Sequence, residues 1–422
     1  MKFRKLTALA VTAMLSLSVV GCSNSGGDSS AKGDGNKTVT VGIWNGNQGE
    51  EKAFTQMIGD FEKKTGIKVE KKIYTDYATQ LKTDLIGGTA PDVFYLDVNI
   101  APEMIKSNVV EPLSSYAKDE EYNVDDIYEN LINGFKDENG EVYAMPKDYS
   151  SLAVYTNDKL LAEAGFSKED IPTELEKWPE FLKELQAKLP QGKQACMIDA
   201  LLPRVLGFIE ANGGEIINKE GYSNLQDEKV VETLNLVNSL YQNGSTNTAT
   251  NLGYGWNGDA FGSEAAAIMI EGNWVVGHLR DNFSNVEFST MEMPTYKGQK
   301  SSMLFTVGYA MNKETQNKEN AWEFIKYATG NEGMTTWTTV SGTLPTRESV
   351  AKETKVADNE VFKPHIAGAE YGTVWQKGLT LPIVDREFSN YMPSIILGDM
   401  TVEDAMKKAT ETANKDIDAQ MK

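Results

Sequence analysis

The chain has 422 residues, 61 acidic against 41 basic side chains, and a formal charge of −20. That balance repels phosphate backbones and anionic membrane faces, so nucleic acid is excluded as a partner. The length exceeds what one simple core holds and points to two domains.

Residues 1–22 read as a targeting signal. Lys2, Arg4 and Lys5 supply positive charge, and the apolar run 6–20 is shorter than a comfortable membrane span. The run ends in Val19-Val20-Gly21-Cys22, which looks like a bacterial lipobox with Cys22 as the lipidated residue and membrane anchor. Residues 23–37 are Gly, Ser, Asn, Asp and Lys, the composition of a flexible tether. Cys196 then has no partner, so no structural disulfide is expected, and its apolar neighbours mark it as a small core residue.

Strand and helix signals alternate from there. Val39-Thr40-Val41-Gly42-Ile43-Trp44 is β-prone. Phe54, Met57, Ile58 and Phe61 recur at helical spacing, with Gly66 past the end. Residues 67–73 alternate as a strand, and 77–86 read as helix stopped by Gly87-Gly88. Val93-Phe94-Tyr95-Leu96 is continuously apolar, as a strand buried on both faces is. This rhythm predicts a mainly parallel α/β sheet. It breaks at 142–156, two extended stretches around Pro146, as a crossing between two lobes would. Helices are predicted over 158–164, 179–188 and 228–241, a buried strand over 265–270, and a second crossing over 305–311. Ala321, Trp322, Ile325 and Ala328 mark another helix. The last helix is capped by Thr401 and carries the stripe Val402, Ala405, Ala409, Ala413 and Ile417.

Several stretches resemble the extracellular solute-binding proteins of carbohydrate ABC importers, the maltose-binding-protein-like group. Trp44-Asn45-Gly46, then residues 61–69, are similar to that family's first strand, helix and second strand. Gly88-Thr89-Ala90-Pro91-Asp92-Val93 resembles its Gly-x-x-Pro-Asp-Val segment. Tyr143-Ala144-Met145-Pro146 and residues 155–160 are like its tyrosine–proline strand and the helix start after it. Gly213-Gly214, 266–274, 294–298, 317–330 and 401–409 follow in family order, so the likeness spans nearly all of the chain past the tether. The resemblance implies a type II periplasmic-binding-protein fold, two α/β lobes closing on a ligand about a hinge. It places lobe 1 at 38–148 and 309–354, and lobe 2 at 149–308 and 355–422. It implies an oligosaccharide ligand, transmembrane permease subunits of an ABC importer as partners, a lipid-anchored extracellular location and a monomer.

A sugar needs aromatic plates for its ring faces and carboxylates or amides for its hydroxyls. Such groups converge on loops after strand C-termini. Trp274, in a Gly-x-Trp turn, matches a stacking tryptophan of the family, with Glu271 and Asn273 beside it. Asn47 and Gln48 follow the first strand, where the family carries polar sugar ligands. Asp97 and Asn99 end the strand begun at Pro91-Asp92-Val93, in the stretch where the family places a sugar-binding acid. Leu96 stands where the maltose-binding proteins have a stacking Trp, and Ser150 where they have a glutamate. Tyr149, in the first crossing, is a candidate plate. Trp375, Asp385 and Arg386 lie near the position of another plate. Asp92, beside Pro91, reads as structural.

The competing classes are a secreted glycoside-processing enzyme and a binder of a non-sugar solute on the same fold. No nucleophile elbow or Cys/His pair is visible. His278 and His365 match no ligand spacing, so neither a metal nor a cofactor is expected. Gly253-x-Gly255-x-x-Gly258 lacks the preceding strand of a nucleotide fingerprint. The reading is a binder, not an enzyme.

Overall fold

The computed structural model describes residues 37–421. The targeting signal, Cys22 and the tether up to residue 36 lie outside the described residues.

Ten strands form the framework: β1 (Thr38–Trp44), β2 (Lys68–Tyr74), β3 (Val93–Asp97), β4 (Ala144–Asn157), β5 (Gln194–Met197), β6 (Thr246–Asn247), β7 (Ala266–Gly272), β8 (Phe288–Met291), β9 (Met303–Met311) and β10 (Thr373–Val374). Their order is β2-β1-β3-β9-β4-β7-β5-β6, with β10 beside β9 and β8 beside β4. β1 runs parallel to β2 and β3, and β5 parallel to β6 and β7. Those two parallel groups are the predicted βαβ rhythm, repeated on either side of an antiparallel centre. The fold is the expected two-lobed α/β architecture.

β4 and β9 make that centre. Ala144 to Ser151 of β4 pair with β9, then Leu152 to Thr156 pair with β7. One fully buried 14-residue strand therefore serves both halves of the sheet. Pro146 has no N–H to give the ladder, and the register shifts between it and Asp148.

The helices follow their stripes. Gln48–Thr65 buries Ala53, Phe54, Met57 and Phe61 and ends at Gly66, whose φ of 74° is the left-handed region glycine enters freely. Val402–Met421 begins where Thr401 Oγ1 accepts from the Asp404 N–H, and its stripe residues are buried. Asp92 is structural, accepting from the Thr40 N–H and hydroxyl at 2.8 Å each. Cys196 is fully buried in β5, and burial pushes its thiol up to about 12. Among the described residues no helix is long and apolar enough to cross a membrane.

His365, on the helix Lys363–Tyr371, is wedged against β4 where the strand changes partners. Its Nδ1 lies 2.8 Å from the Ser151 carbonyl and must donate, which leaves Nε2 to accept from the Tyr155 hydroxyl at 2.7 Å. Burial holds this imidazole down at about 4, so it is neutral.

Candidate functional site

Parallel strands deliver their loops to one edge. The loops after β1 and β3 bring Asn47 and Asp97 there; those after β5, β6 and β7 bring Asp199, Trp256 and Trp274.

Trp274 begins the helix Val275–Asn282 and is half-buried. Its ring covers Gly272, where a Cβ would meet the indole at 2.3 Å. Phe305 of β9 stands edge-on to it, ring centroids 5.2 Å apart. Arg204, on the helix Leu202–Ala211, holds its guanidinium 5.3 Å from the Trp274 centroid and 5.9 Å from that of Phe305. Glu271 fixes Arg204 from behind through a 2.7 Å ion pair. The other Glu271 oxygen accepts from Asn257, and burial raises its carboxyl against the opposing pull of Arg204.

Asn47 reaches this edge from the other half. Its Oδ1 caps the Gln48–Thr65 helix at the Glu50 N–H, and its Nδ2 donates to the Trp274 carbonyl at 3.4 Å. Gln48 is exposed on the first helical turn. Asp97 is half-buried at the end of β3 and accepts from the Asn99 N–H at 3.2 Å. Burial raises the Asp97 carboxyl to about 6, with Asp148 adding to the rise and Lys147 opposing it. Asp385 sits on the helix Leu381–Ile396, where burial and then the charge of Asp97 raise it to about 6. One of its oxygens, Oδ1, is buried with no hydrogen-bond partner.

Other candidates go elsewhere. Asn273 is fully buried as a tie: Oδ1 accepts from the Ser151 N–H and Nδ2 donates to the Gly342 carbonyl. Glu271 is 2 % exposed, and its oxygens are taken by Arg204, Asn257 and the Gly272 N–H. Tyr149 packs in a separate apolar cluster with Leu131, Leu304 and Leu344, edge-on to Tyr128. At 7 % exposed, its ring is packed among these side chains rather than open as a plate. Trp375 is 4 % exposed, in the main core, because its N–H extends β10 onto the Leu304 carbonyl. Arg386 points to solvent and pairs with Glu387 and Asp416, one helical step round from inward-facing Asp385.

The sequence reading missed Arg204 and Phe305. A lone cation in the apolar run Leu202-Pro203-Arg204-Val205-Leu206 was the signal for the first. It also missed how tightly Lys147 is held. Lys147 Nζ lies 2.5 Å from Asp148 and 3.8 Å from the Trp337 ring centroid, and the Trp337 indole N–H donates to the same carboxylate. A groove of about 570 Å³ is lined by Asp199, Leu201, Thr248, Trp256, Ser389 and Pro393. Trp256 is half-buried there, edge-on to His278. Among the described residues no group of three or more His, Cys, Asp or Glu could hold a metal.

The sequence model of the bacterial extracellular solute-binding proteins matches residues 56–364. The chain belongs to that family. A Brucella abortus protein named as a binding protein is 25% identical over 367 residues, 80% of this chain and 83% of that one. Two solved structures share the fold at 20% identity. One is an ABC substrate-binding protein of Listeria monocytogenes in complex with cycloalternan, TM-score 0.81, covering 90% of this chain and 98% of that one. The other is a Mycobacterium tuberculosis protein in complex with glycerophosphocholine, TM-score 0.80, covering 91% and 99%. This family member therefore has the type II periplasmic-binding-protein fold.

Proposed function

We propose that this solute-binding protein captures an oligosaccharide between two lobes and delivers it to the permease subunits of an ABC importer. The lobes are residues 38–148 with 309–354, and 149–308 with 355–422, hinged on β4 and β9. Cys22 carries the lipid that holds the protein at the outer face of the membrane.

The shared fold does not choose the ligand, since its relatives hold solutes as different as cycloalternan and glycerophosphocholine. The observation that carries the saccharide reading is the half-exposed Trp274 plate, buttressed edge-on by Phe305; Asp97 and Asp385, in electrostatic range of each other, are offered as the hydroxyl acceptors. An indole face suits the apolar face of a pyranose, and carboxylates accept from its hydroxyls. Binding without turnover is what the family match supports, a solute-binding protein rather than an enzyme.

A thermal-shift screen against an oligosaccharide panel tests this. A ligand that binds only the folded state raises Tm. A shift with at least one member is expected, and chromatography after long incubation should recover that sugar intact. A panel that leaves Tm flat sinks the saccharide reading; products exceeding the protein's stoichiometry sink the binder reading.

A further inference from the structure

Three helices meet on glycines. In the proposed lobe assignment the helix Val275–Asn282 belongs to lobe 2, and the helices Gln48–Thr65 and Asn331–Ser341 that touch it belong to lobe 1. A Cβ on Gly49 would lie 3.5 Å from the Gly277 backbone, and one on Gly342 would meet the Gly277 nitrogen at 2.8 Å. Backbone therefore packs on backbone where the two lobes touch.

A line of charge crosses the same seam. Lys52 Nζ of lobe 1 lies 3.7 Å from the Asp281 carboxylate of lobe 2. Arg280 Nε donates to Asp281 at 2.7 Å. The two terminal nitrogens of Arg280 donate to the Val340 carbonyl at 2.6 Å and the Thr339 carbonyl at 3.3 Å. Those carbonyls lie in the last turn of the Asn331–Ser341 helix, where carbonyls lack helical partners and the dipole is negative. Lobe 1 thus offers a cation and a helix C-terminus, and lobe 2 answers with an anion and a cation.

The Arg280 side chain is 46 % exposed and that of Lys52 63 %. Exposed contacts of this kind are weak and are screened by salt. That makes them a poor brace for a fold and a suitable bias for a joint that opens. We infer that Arg280 and Asp281 form an ionic latch that holds the lobes in this arrangement and releases them as ionic strength rises. The latch makes retention of even an uncharged solute salt-dependent. This inference rests on the proposed two-lobe reading.

Small-angle scattering of the purified protein tests it without a sugar. The sign of the salt effect is decisive. A chain of charge −20 with no latch should contract as salt screens its self-repulsion. The latch predicts the opposite, a radius that grows from about 20 mM to about 500 mM NaCl. Arg280→Gln should already have the larger radius at low salt and grow no further, while Arg280→Lys, which keeps the charge, should fall between. An unchanged urea midpoint shows that these variants fold. For the panel sugar that raises Tm most, dissociation should be up to about fivefold faster from Arg280→Gln than from the parent at low salt. A parent radius that stays level or shrinks with salt, or equal dissociation rates, overturns the latch and leaves the oligosaccharide reading standing. A panel with no binding member removes that reading, while a radius that grows with salt and with Arg280→Gln keeps the latch.

Discussion

The guanidinium of Arg204 lies over the ring of Trp274, 5.3 Å from its centroid, while Glu271 holds it in a 2.7 Å ion pair. Trp274 is thus held by a charge that is itself held. Removing Trp274 and removing Glu271 give different expectations.

Trp274→Ala removes a half-exposed plate that packs on Phe305. It should weaken the bound saccharide by about 2 kcal/mol, roughly thirtyfold in Kd. Most of the melting temperature should survive, because the ring is not enclosed by core on all sides. Calorimetry on the folded variant checks this, and unchanged affinity refutes the stacking role.

Glu271→Gln leaves Arg204 buried without its counter-charge. Breaking one side of a buried pair costs about 3–5 kcal/mol, which urea denaturation would read as a lower midpoint. Replacing both partners, Arg204→Met with Glu271→Leu, should recover most of that loss. A double variant as unstable as the single one refutes the ion-pair account.

His365 and the cleft acids respond to pH in opposite directions. The His365 imidazole is held at about 4 against an ordinary value near 6.5, so the unfolded chain takes the proton first. Its contribution is whole above about pH 6.5 and is lost as pH falls toward 4, about 3 kcal/mol in all. Asp97 and Asp385 are raised to about 6, so their cost is present above that pH and is relieved as pH falls toward the ordinary carboxylate range. A double variant, Asp97→Asn with Asp385→Asn, should therefore be more stable than the parent at pH 7.5 and lose that advantage by pH 4. Parallel stability–pH curves for the two proteins contradict this.

Gly277, one turn into the Val275–Asn282 helix, lies against the end of the Asn331–Ser341 helix. A Cβ there would meet the Ser341 carbonyl oxygen at 2.2 Å. Arg280 donates to the carbonyls of Thr339 and Val340 across the same seam. In the proposed lobe assignment these helices belong to opposite lobes. Gly277→Ala should hold them apart, at an overpacking cost of about 1–3 kcal/mol drawn from closure. Ligand affinity is expected to fall about tenfold, with a larger radius in small-angle scattering of the liganded protein. A liganded radius equal to the parent's removes this seam from the closing motion.

The periodic elements were legible because burial imposes a period. Gln48–Thr65, β3, β7 and Val402–Met421 each announce one face or two. Leu381–Ile396 was not read, since Pro382 and Pro393 disguise it. Without that helix, Asp385 and Arg386 could not be told apart, though one faces the cleft and the other faces solvent. Glu271 and Asn273 flank Gly272 and looked like site residues by proximity to Trp274. Their side chains are consumed by Arg204 and by Ser151, contacts 67 and 122 residues distant that no local pattern encodes. Phe305 was legible only as part of a crossing strand, because which face of that strand meets Trp274 is set by its pairing with β4.

Cys196 has a practical use. It is the one cysteine past the tether, fully buried, with a thiol held near 12. At neutral pH it offers maleimide dyes almost no thiolate. A chain begun after Cys22 is therefore a blank for labelling. A single new cysteine on the rim, at Gln48 for example, would carry the only dye, and jaw movement would become an optical signal for whatever solute the cleft accepts.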